Sequence, residues 1–320
     1  MSEGAHGPAV IGADAGEPAV AGVDIGGTKT RMVLSRRGQV LADRTVPTAD
    51  WRRAGNVADA AGLLGLVAGL APLAPAALVV GAHGCDTAGE CQAFEAALAP
   101  LTPAPVRVVN DAELMAPAAG LEGGVGVVVG TGSIAVARLD DGTMLTAGGW
   151  GWILGDEGSA PSLVREAGRA VRLAVDRGEP RDPLHDALLA SLGIADVTEI
   201  GRTLNAIADA AAVGSHARAV FAAAEAGSAL AGRVIREAGR FLAELVERIA
   251  RRGASIAQVV AGGGVIAAQP ILMTAFAEEM AHAFPLARVQ LLQRPPVFGA
   301  VVLAERLSGT QRPAAAGSAP

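Results

Sequence analysis

Two glycine-threonine turns carry the first chemical signal in this sequence. Gly26-Gly27-Thr28 and Gly130-Thr131-Gly132-Ser133 each follow a run of apolar β-formers, and each leads into another such run. Glycine at a strand-to-strand turn lets backbone N–H groups approach an anion closely, and the Thr28, Thr131 and Ser133 hydroxyls add donors. Phosphate oxygens suit such a cradle. One Gly-Gly turn alone would be weak support, since most are ordinary turns. Here the surroundings repeat. The next turn glycines are Gly38 and Gly142, so 38 − 26 and 142 − 130 both give 12. Strand, Gly/Thr turn and strand thus recur at one spacing, as expected of duplicated lobes facing each other across a cleft. Lys29 adjoins the first turn and is the only lysine among 26 Lys plus Arg. A general bias towards arginine explains that as readily as a need for a cation beside phosphate.

Carboxylates stand at the ends of several apolar runs. Asp24 precedes the first turn. It could hold Mg²⁺ directly or through water, or act as a turn aspartate. Asp111 follows Val106–Val109 and Asn110. Aspartate is a favoured helix N-cap. A carboxylate at the C-terminal end of a strand also lies where open α/β sheets bind ligands, and it could accept the proton of a hydroxyl attacking a γ-phosphorus.

The segment Gly148–Ser159 places Trp150 and Trp152, two of the chain's 3 tryptophans, among glycines that include Gly149 and Gly151. It ends in Asp156-Glu157-Gly158-Ser159. An aromatic face and carboxylates suit carbohydrate, and Asp156 is the favoured binding residue. A core tryptophan with Asp156 or Ser159 as a helix cap is the alternative. Gly262-Gly263-Gly264 follows the apolar Val259–Ala261, and would allow adenine or ribose close to the backbone, or serve as a plain strand–helix turn. His83 sits beside a strand end near the same cleft, where it could touch substrate or be an ordinary exposed loop histidine. The remaining histidines are scattered without metal-site spacing.

These groups need a scaffold that alternates strand and helix, an α/β fold. The apolar pattern predicts strands at Val20–Ile25, Thr30–Ser35, Gln39–Val46, Leu78–Gly81, Val106–Val109, Val125–Val129 and Val259–Ala261. It predicts helices over 54–71, 228–252 and Val297–Leu307, with mostly helix after about residue 159. Residues 1–18 and 309–320 read as disordered tails.

Composition excludes several classes. The net charge is −6 and the basic residues are scattered, so there is no nucleic-acid footprint. The 2 cysteines, Cys85 and Cys91, are too few for a disulfide framework or a four-ligand zinc site, which fits a reducing compartment. No signal peptide or membrane span is expected, so the cytoplasm is the expected location.

The order of Asp24-Ile25-Gly26-Gly27-Thr28, Asn110-Asp111, Gly130-Thr131-Gly132-Ser133, Gly149-Trp150-Gly151, Gly155-Asp156-Glu157-Gly158-Ser159 and Gly262-Gly263-Gly264 resembles the N-acetylglucosamine kinases. More broadly it resembles the BadF/BadG/BcrA/BcrD ATPase family within the sugar kinase, Hsp70 and actin superfamily. The resemblance covers nearly the whole chain between the tails. It implies two ribonuclease-H-like lobes, 19–115 with 300–308 and 116–299, closing over ATP·Mg²⁺ and a small-molecule sugar. It implies that Asp111 is the base acting on the sugar 6-hydroxyl. Thr28 and Thr131 would meet phosphates. Ser133, Gly149, Trp150, Gly151 and Asp156 would belong to the sugar site. Ala224, before Gly227, and Gly263 would lie on the adenosine side. A homodimer is the family expectation.

Three departures bear on the sugar. Ile134 stands where the amino-sugar kinases usually carry an asparagine. Thr48-Ala49-Asp50-Trp51 lacks a second asparagine, and His83 replaces a frequent serine. Glucosamine, N-acetylmuramic acid and other hexoses therefore stay open. A different class, the ATP-driven activators of radical dehydratases, shares the phosphate loops but carries cysteines for an iron–sulfur cluster at a dimer interface. Cys85 and Cys91, close together around a turn, do not match that arrangement. A sugar-sensing regulator would need a helix-turn-helix for which the short N-terminus leaves no room.

Overall fold

The computed structural model describes residues 18–309. The predicted tails therefore lie outside the described residues, except for Pro18 and Gly309. β1 (Val20–Ile25), β2 (Lys29–Arg36), β3 (Gln39–Pro47), α1 (Ala60–Ala68), β4 (Leu78–Ala82), α2 (Ala88–Leu98) and β5 (Val106–Asn110) build a first lobe. A 3-10 turn, Asp111–Leu114, and α3 (Met115–Ala118) lead into a second. It contains β6 (Val125–Val129), β7 (Ser133–Arg138), β8 (Met144–Gly148), α4 (Ala160–Asp176), α5 (Pro183–Leu192), α6 (Ile200–Ala206), α7 (Ala210–Gly214), α8 (Ala217–Glu225) and α9 (Ala229–Ala250). The chain ends with β9 (Gln258–Gly262), α10 (Gly264–Ala268), α11 (Pro270–Ala283), β10 (Arg288–Leu291) and α12 (Val297–Ser308).

The internal repeat is a repeat of topology. The first sheet runs β3-β2-β1-β4-β5 and the second β8-β7-β6-β9-β10. In each, the first three strands in chain order form an antiparallel meander, and the last two add in parallel. The parallel central strands are almost wholly buried, which accounts for their continuous Val/Leu/Ala runs. The two turns differ by one residue. Ile25 pairs with Thr30, whereas Val129 pairs with Ser133. The closing bonds are Gly26 N–H to the Lys29 carbonyl at 2.9 Å and Gly130 N–H to the Gly132 carbonyl at 2.8 Å.

Helix expectations were too broad at one place. Instead of a helix over 54–71, α1 begins at Ala60. The Asp59 carboxylate accepts from the amides of Arg53, Ala54 and Gly55 at 2.7, 2.7 and 3.0 Å, folding that stretch into a loop before the helix. α9 matches its expected span, with Leu230, Val234, Leu242, Leu245 and Ile249 buried and Ser228 capping its N-terminus. α2 and β10 were not anticipated, and α11 fell in the stretch expected only to be mostly helical.

The lobes exchange helices. α3 follows the first sheet but packs on β6 and β9 of the second; α12 follows the second sheet but packs on β1 and β4 of the first. The two helices also pack on each other. Glycines permit this close crossing. A Cβ on Gly22 would sit 2.6 Å from Val301 N, and one on Gly126 would overlap the Ala112 carbonyl. Gly81 gives way to Leu114, and Gly262 to the Met115 sulfur, 2.8 Å from its would-be Cβ. Asp24 pairs with Gly81 and Val128 with Gly262, so the paired glycines occupy equivalent places in the two sheets. A bidentate ion pair from Arg138 on β7 to Glu113, at 2.6 and 2.8 Å, adds a polar tie.

Candidate active site

A chain of interacting carboxylates links the two glycine turns, from Asp24 beside the first to Asp156 against Gly132 of the second. Around them lie four carboxylates, Asp24, Asp86, Asp111 and Asp156, whose charges act on one another. For Asp111 and Asp156 the sequence left a helix-capping role open, and Asp86 also stands at the start of a helix. In every case a neighbour does the capping. Asn110 caps the turn after β5, its side chain accepting from Ala112 N–H at 2.9 Å while Glu113 accepts from Asn110 N–H at 3.1 Å. Ser159 caps α4, and Thr87 with Glu90 caps α2. Asp111, Asp156 and Asp86 are thus free of helix duty.

Asp111 is 9 % exposed. Burial pushes its carboxyl up to about 6, His83 pulls it down, and the Asp86 charge pushes it up. Asp24, at the end of β1, is pushed up to about 7 by burial and by Asp111, against Lys29 and Arg31. The pull of Lys29, Arg31 and His83 only partly offsets burial, and both carboxyls stay raised. Among the described residues no three His, Cys, Asp or Glu side chains converge as a metal cage. A Mg²⁺ that keeps most of its waters and shares phosphate oxygens needs only one or two protein carboxylates, and Asp24 beside Asp111 fits that demand.

Asp156 adopts φ 54° and is 6 % exposed. Burial raises its carboxyl, and the backbone N–H groups of Ser133 and Gly151 oppose the rise. Its Oδ1 is buried and has no hydrogen-bond partner. A buried carboxylate oxygen without a donor is costly, and a sugar hydroxyl would supply one. Gly132 stands against the same group, its would-be Cβ 3.1 Å from Asp156 Oδ2. Ser133 is differently engaged: its hydroxyl donates to the Glu157 carbonyl at 2.8 Å, fastening the Asp156 loop to the second turn. Trp150 is 77 % exposed at the rim, while Trp152 is the ring packed on the core. Gly149 and Gly151 take φ 74° and 79°, conformations that favour glycine.

The remaining candidates surround these groups. His83 is exposed, its Nε2 3.7 Å from a Cβ built on Gly27. The Thr28 and Thr131 hydroxyls are exposed and make no side-chain hydrogen bond among the described residues. Lys29 is exposed beside Asp24. Gly130 lies against the Gly262-Gly263-Gly264 turn, its would-be Cβ 3.8 Å from Gly264 N. Gly263 has φ 105°, and any Cβ there would strike the Val129 backbone. Ala224 lies in α8, partly buried against the second lobe's core.

Two features escaped the sequence reading. Asp86 accepts from Asn110 Nδ2 at 3.0 Å, and its Oδ2 lies 3.7 Å from where Gly149 would carry a Cβ, so it bridges the lobes. A carboxylate shortly beyond β4 and His83 was the available signal. The second is a prop behind the first turn. Trp51 Nε1 donates to Thr30 Oγ1 at 3.0 Å, that oxygen meets Thr48 Oγ1 at 3.0 Å, and Thr48 Oγ1 donates to the Gly26 carbonyl at 2.9 Å. Asp86→Asn removes a like charge facing Asp111. The acid limb of the kcat/KM–pH profile is expected to move to lower pH, with sugar KM raised; an unmoved limb rejects the coupling.

Paired lobes of this topology, each with a phosphate-type turn, define the actin-like ATPase class. The chain belongs to the BadF/BadG/BcrA/BcrD ATPase family, whose sequence profile it matches over residues 21–304. Over 210 residues it is 31 % identical to the N-acetylmuramic acid/N-acetylglucosamine kinase of Clostridium acetobutylicum, spanning 62 % of this chain and 66 % of that one. A solved, provisionally assigned N-acetylglucosamine kinase from Chromobacterium violaceum superposes with a TM-score of 0.67 at 25 % identity, over 90 % of this chain and 99 % of that one. A ROK family glucokinase from Streptomyces griseus, solved with glucose and AMPPNP, shares the fold with a TM-score of 0.59 at 19 % identity, over 90 % and 98 % of the two chains.

Proposed function

We propose that the protein is an ATP-dependent kinase that phosphorylates an amino sugar, N-acetylglucosamine or glucosamine, at its 6-hydroxyl. The observation that carries this reading is the placement of Asp111. It is a carboxylate relieved of capping by Asn110, between the two glycine turns and within electrostatic reach of Asp86. Opposite it, Asp156 offers an unpartnered oxygen to a sugar hydroxyl. The kinase activity of the Clostridium acetobutylicum relative on two amino sugars supports the substrate class.

In this reading the turn amides and the Thr28 and Thr131 hydroxyls hold ATP phosphates, with Gly262 and Gly263 beside the nucleoside. A bound Mg²⁺ supplies charge neutralisation on the phosphates, and Asp24 is the residue placed to hold it. Asp156, Asp86 and His83 position the sugar. The 6-hydroxyl proton passes to Asp111 as the O6–P bond forms and the bond from γ-phosphorus to the β–γ bridging oxygen breaks, releasing ADP. Asp111 then returns the proton to water. The carboxyl near 6 suits the task, because it is ionised at neutral pH yet basic enough to take a proton.

Ile134 deepens the substrate question. It is 8 % exposed and lies 3.1 Å from a Cβ built on Gly149, so the sugar site meets apolar surface where an amide is usual. Both thiols are buried, and Cys91 Sγ donates to the Cys85 carbonyl at 3.5 Å, so neither is presented for a cluster shared between subunits. A coupled ADP-release assay tests the reading with glucosamine, N-acetylglucosamine, N-acetylmuramic acid, N-acetylmannosamine and glucose. One amino sugar is expected to stimulate turnover well above background, with Asp156→Ala raising its KM about tenfold or more. Background rates on every sugar would sink the proposal.

A further inference from the structure

A second cavity, of about 520 Å³, opens where β5, α3, β7 and α12 meet, and it touches the site above through Glu113, which caps the turn carrying Asp111. We propose that it is a binding site for a small phosphomonoester. Its size falls in the range of metabolite pockets. Three guanidiniums, those of Arg107, Arg138 and Arg306, line it together with the carboxylates of Glu113 and Glu122. Three positive charges against two negative leave a surplus of one, in a chain whose net charge is −6.

The three arginines are not equally committed. Arg138 is spent on Glu113 in the bidentate pair that ties the lobes. Arg107 makes no side-chain hydrogen bond or ion pair among the described residues. Arg306 is half used. One Nη lies 3.1 Å from Glu122, but its Nε is buried without a partner. An Nη held only by an exposed glutamate can turn to a ligand oxygen. The Glu122 side chain is 85 % exposed, and exposed ion pairs contribute little, so an incoming anion can displace it. With Glu122 swung out, the surplus becomes two positive charges, which matches a phosphomonoester dianion and exceeds what one carboxylate needs. Leu303, Leu307 and Val136 give the cavity apolar wall for the organic body of an ester. The guanidiniums come from both lobes, Arg107 on the first sheet, Arg138 on the second and Arg306 on the crossing helix α12.

The proposal does not rest on the kinase reading. Calorimetric titration of the full chain, with AMP-PNP·Mg²⁺ at saturation to occupy the cleft, would use glucosamine 6-phosphate, glucose 6-phosphate, inorganic phosphate and neutral N-acetylglucosamine as probes. The sugar phosphates are expected to bind, with inorganic phosphate at least several-fold weaker. Arg107→Ala and Arg306→Ala should each weaken sugar phosphate binding about tenfold or more. Glu122→Gln should tighten it, because it releases Arg306. These positions lie outside the cleft, so binding of a sugar phosphate in the sugar site would be blind to all three substitutions. No binding of either ester, or binding unchanged in Arg107→Ala, overturns the proposal. Inorganic phosphate binding as tightly as the esters overturns the ester assignment. Failure of AMP-PNP to bind would instead count against the nucleotide reading, and leave the arginine comparison intact.

Discussion

Asp111→Asn is expected to cut turnover by at least ~100-fold, the usual scale for a lost general base, while making the unliganded protein more stable. The two effects have one cause. Burial, with the Asp86 charge against the pull of His83, holds the Asp111 carboxyl near 6 in the folded chain, above the ordinary 3.8. Between those pH values the folded state binds a proton that the unfolded chain has already released. Stability therefore falls as pH rises through that window, and the deficit persists at neutral pH. A neutral asparagine escapes it, by on the order of 2 kcal/mol. Asp24, held near 7, adds a deficit of the same sign that extends to higher pH. Thermal melts of the wild type and Asp111→Asn at pH 5 and pH 8 check this. The variant should melt higher at pH 8, with the difference narrowing at pH 5. A variant that turns over normally, or that melts lower than wild type at pH 8, contradicts the assignment of Asp111 as a strained base. Rate loss without nucleotide loss is also required, so AMP-PNP affinity should be nearly unchanged.

Gly126→Ala is expected to destabilise by ~3 kcal/mol or more, since the overlap is with backbone and neither partner can turn away. The added methyl would fall on the Ala112 carbonyl, next to Asp111, where the first lobe's connecting turn lies across β6. Gly62→Ala is the control. It lies in α1 with nothing near its would-be Cβ, and alanine favours helix, so that variant should be neutral or slightly more stable. Urea midpoints for both variants decide the matter. A loss under about 1 kcal/mol for Gly126→Ala would mean the helix crossing is looser than the geometry states. Even a folded Gly126→Ala should be a poor enzyme, because the displaced turn carries the proposed base.

Much of the frame was legible in residue order. The strands of the first sheet and the meander of the second are runs of β-branched and small apolar residues bounded by turn glycines, and local periodicity is enough to find them. The match of Gly26–Gly38 with Gly130–Gly142 announced two lobes, and the two sheets share one strand order. Asp111 could be picked as a candidate from its position at the end of an apolar run, and Asp156 from the glycine- and tryptophan-rich loop that contains it. Whether each capped a helix could not be read, because Asn110 and Ser159 are chemically as fit to cap as their neighbours. Only the dihedral path of the chain chose between them. Asp86 was overlooked because its importance lies in Gly149 and Asn110, which are far from it in sequence.

The sequence by itself determined the alternation of elements, the duplicated glycine turns, the family pattern and the short set of carboxylates able to do proton chemistry. Those properties depend on residue type and near-neighbour spacing, which a linear string records. Tertiary structure decided the exchange of α3 and α12 between lobes, the gathering of four carboxylates around the turns, and the cavity where Arg107 and Arg306 meet. Each depends on contacts between segments separated by tens to hundreds of residues. Burial then sets the charge state of what it brings together. Asp111 and Asp24 read as ordinary aspartates in the string, and become strained acids only where the folded lobes exclude water from them.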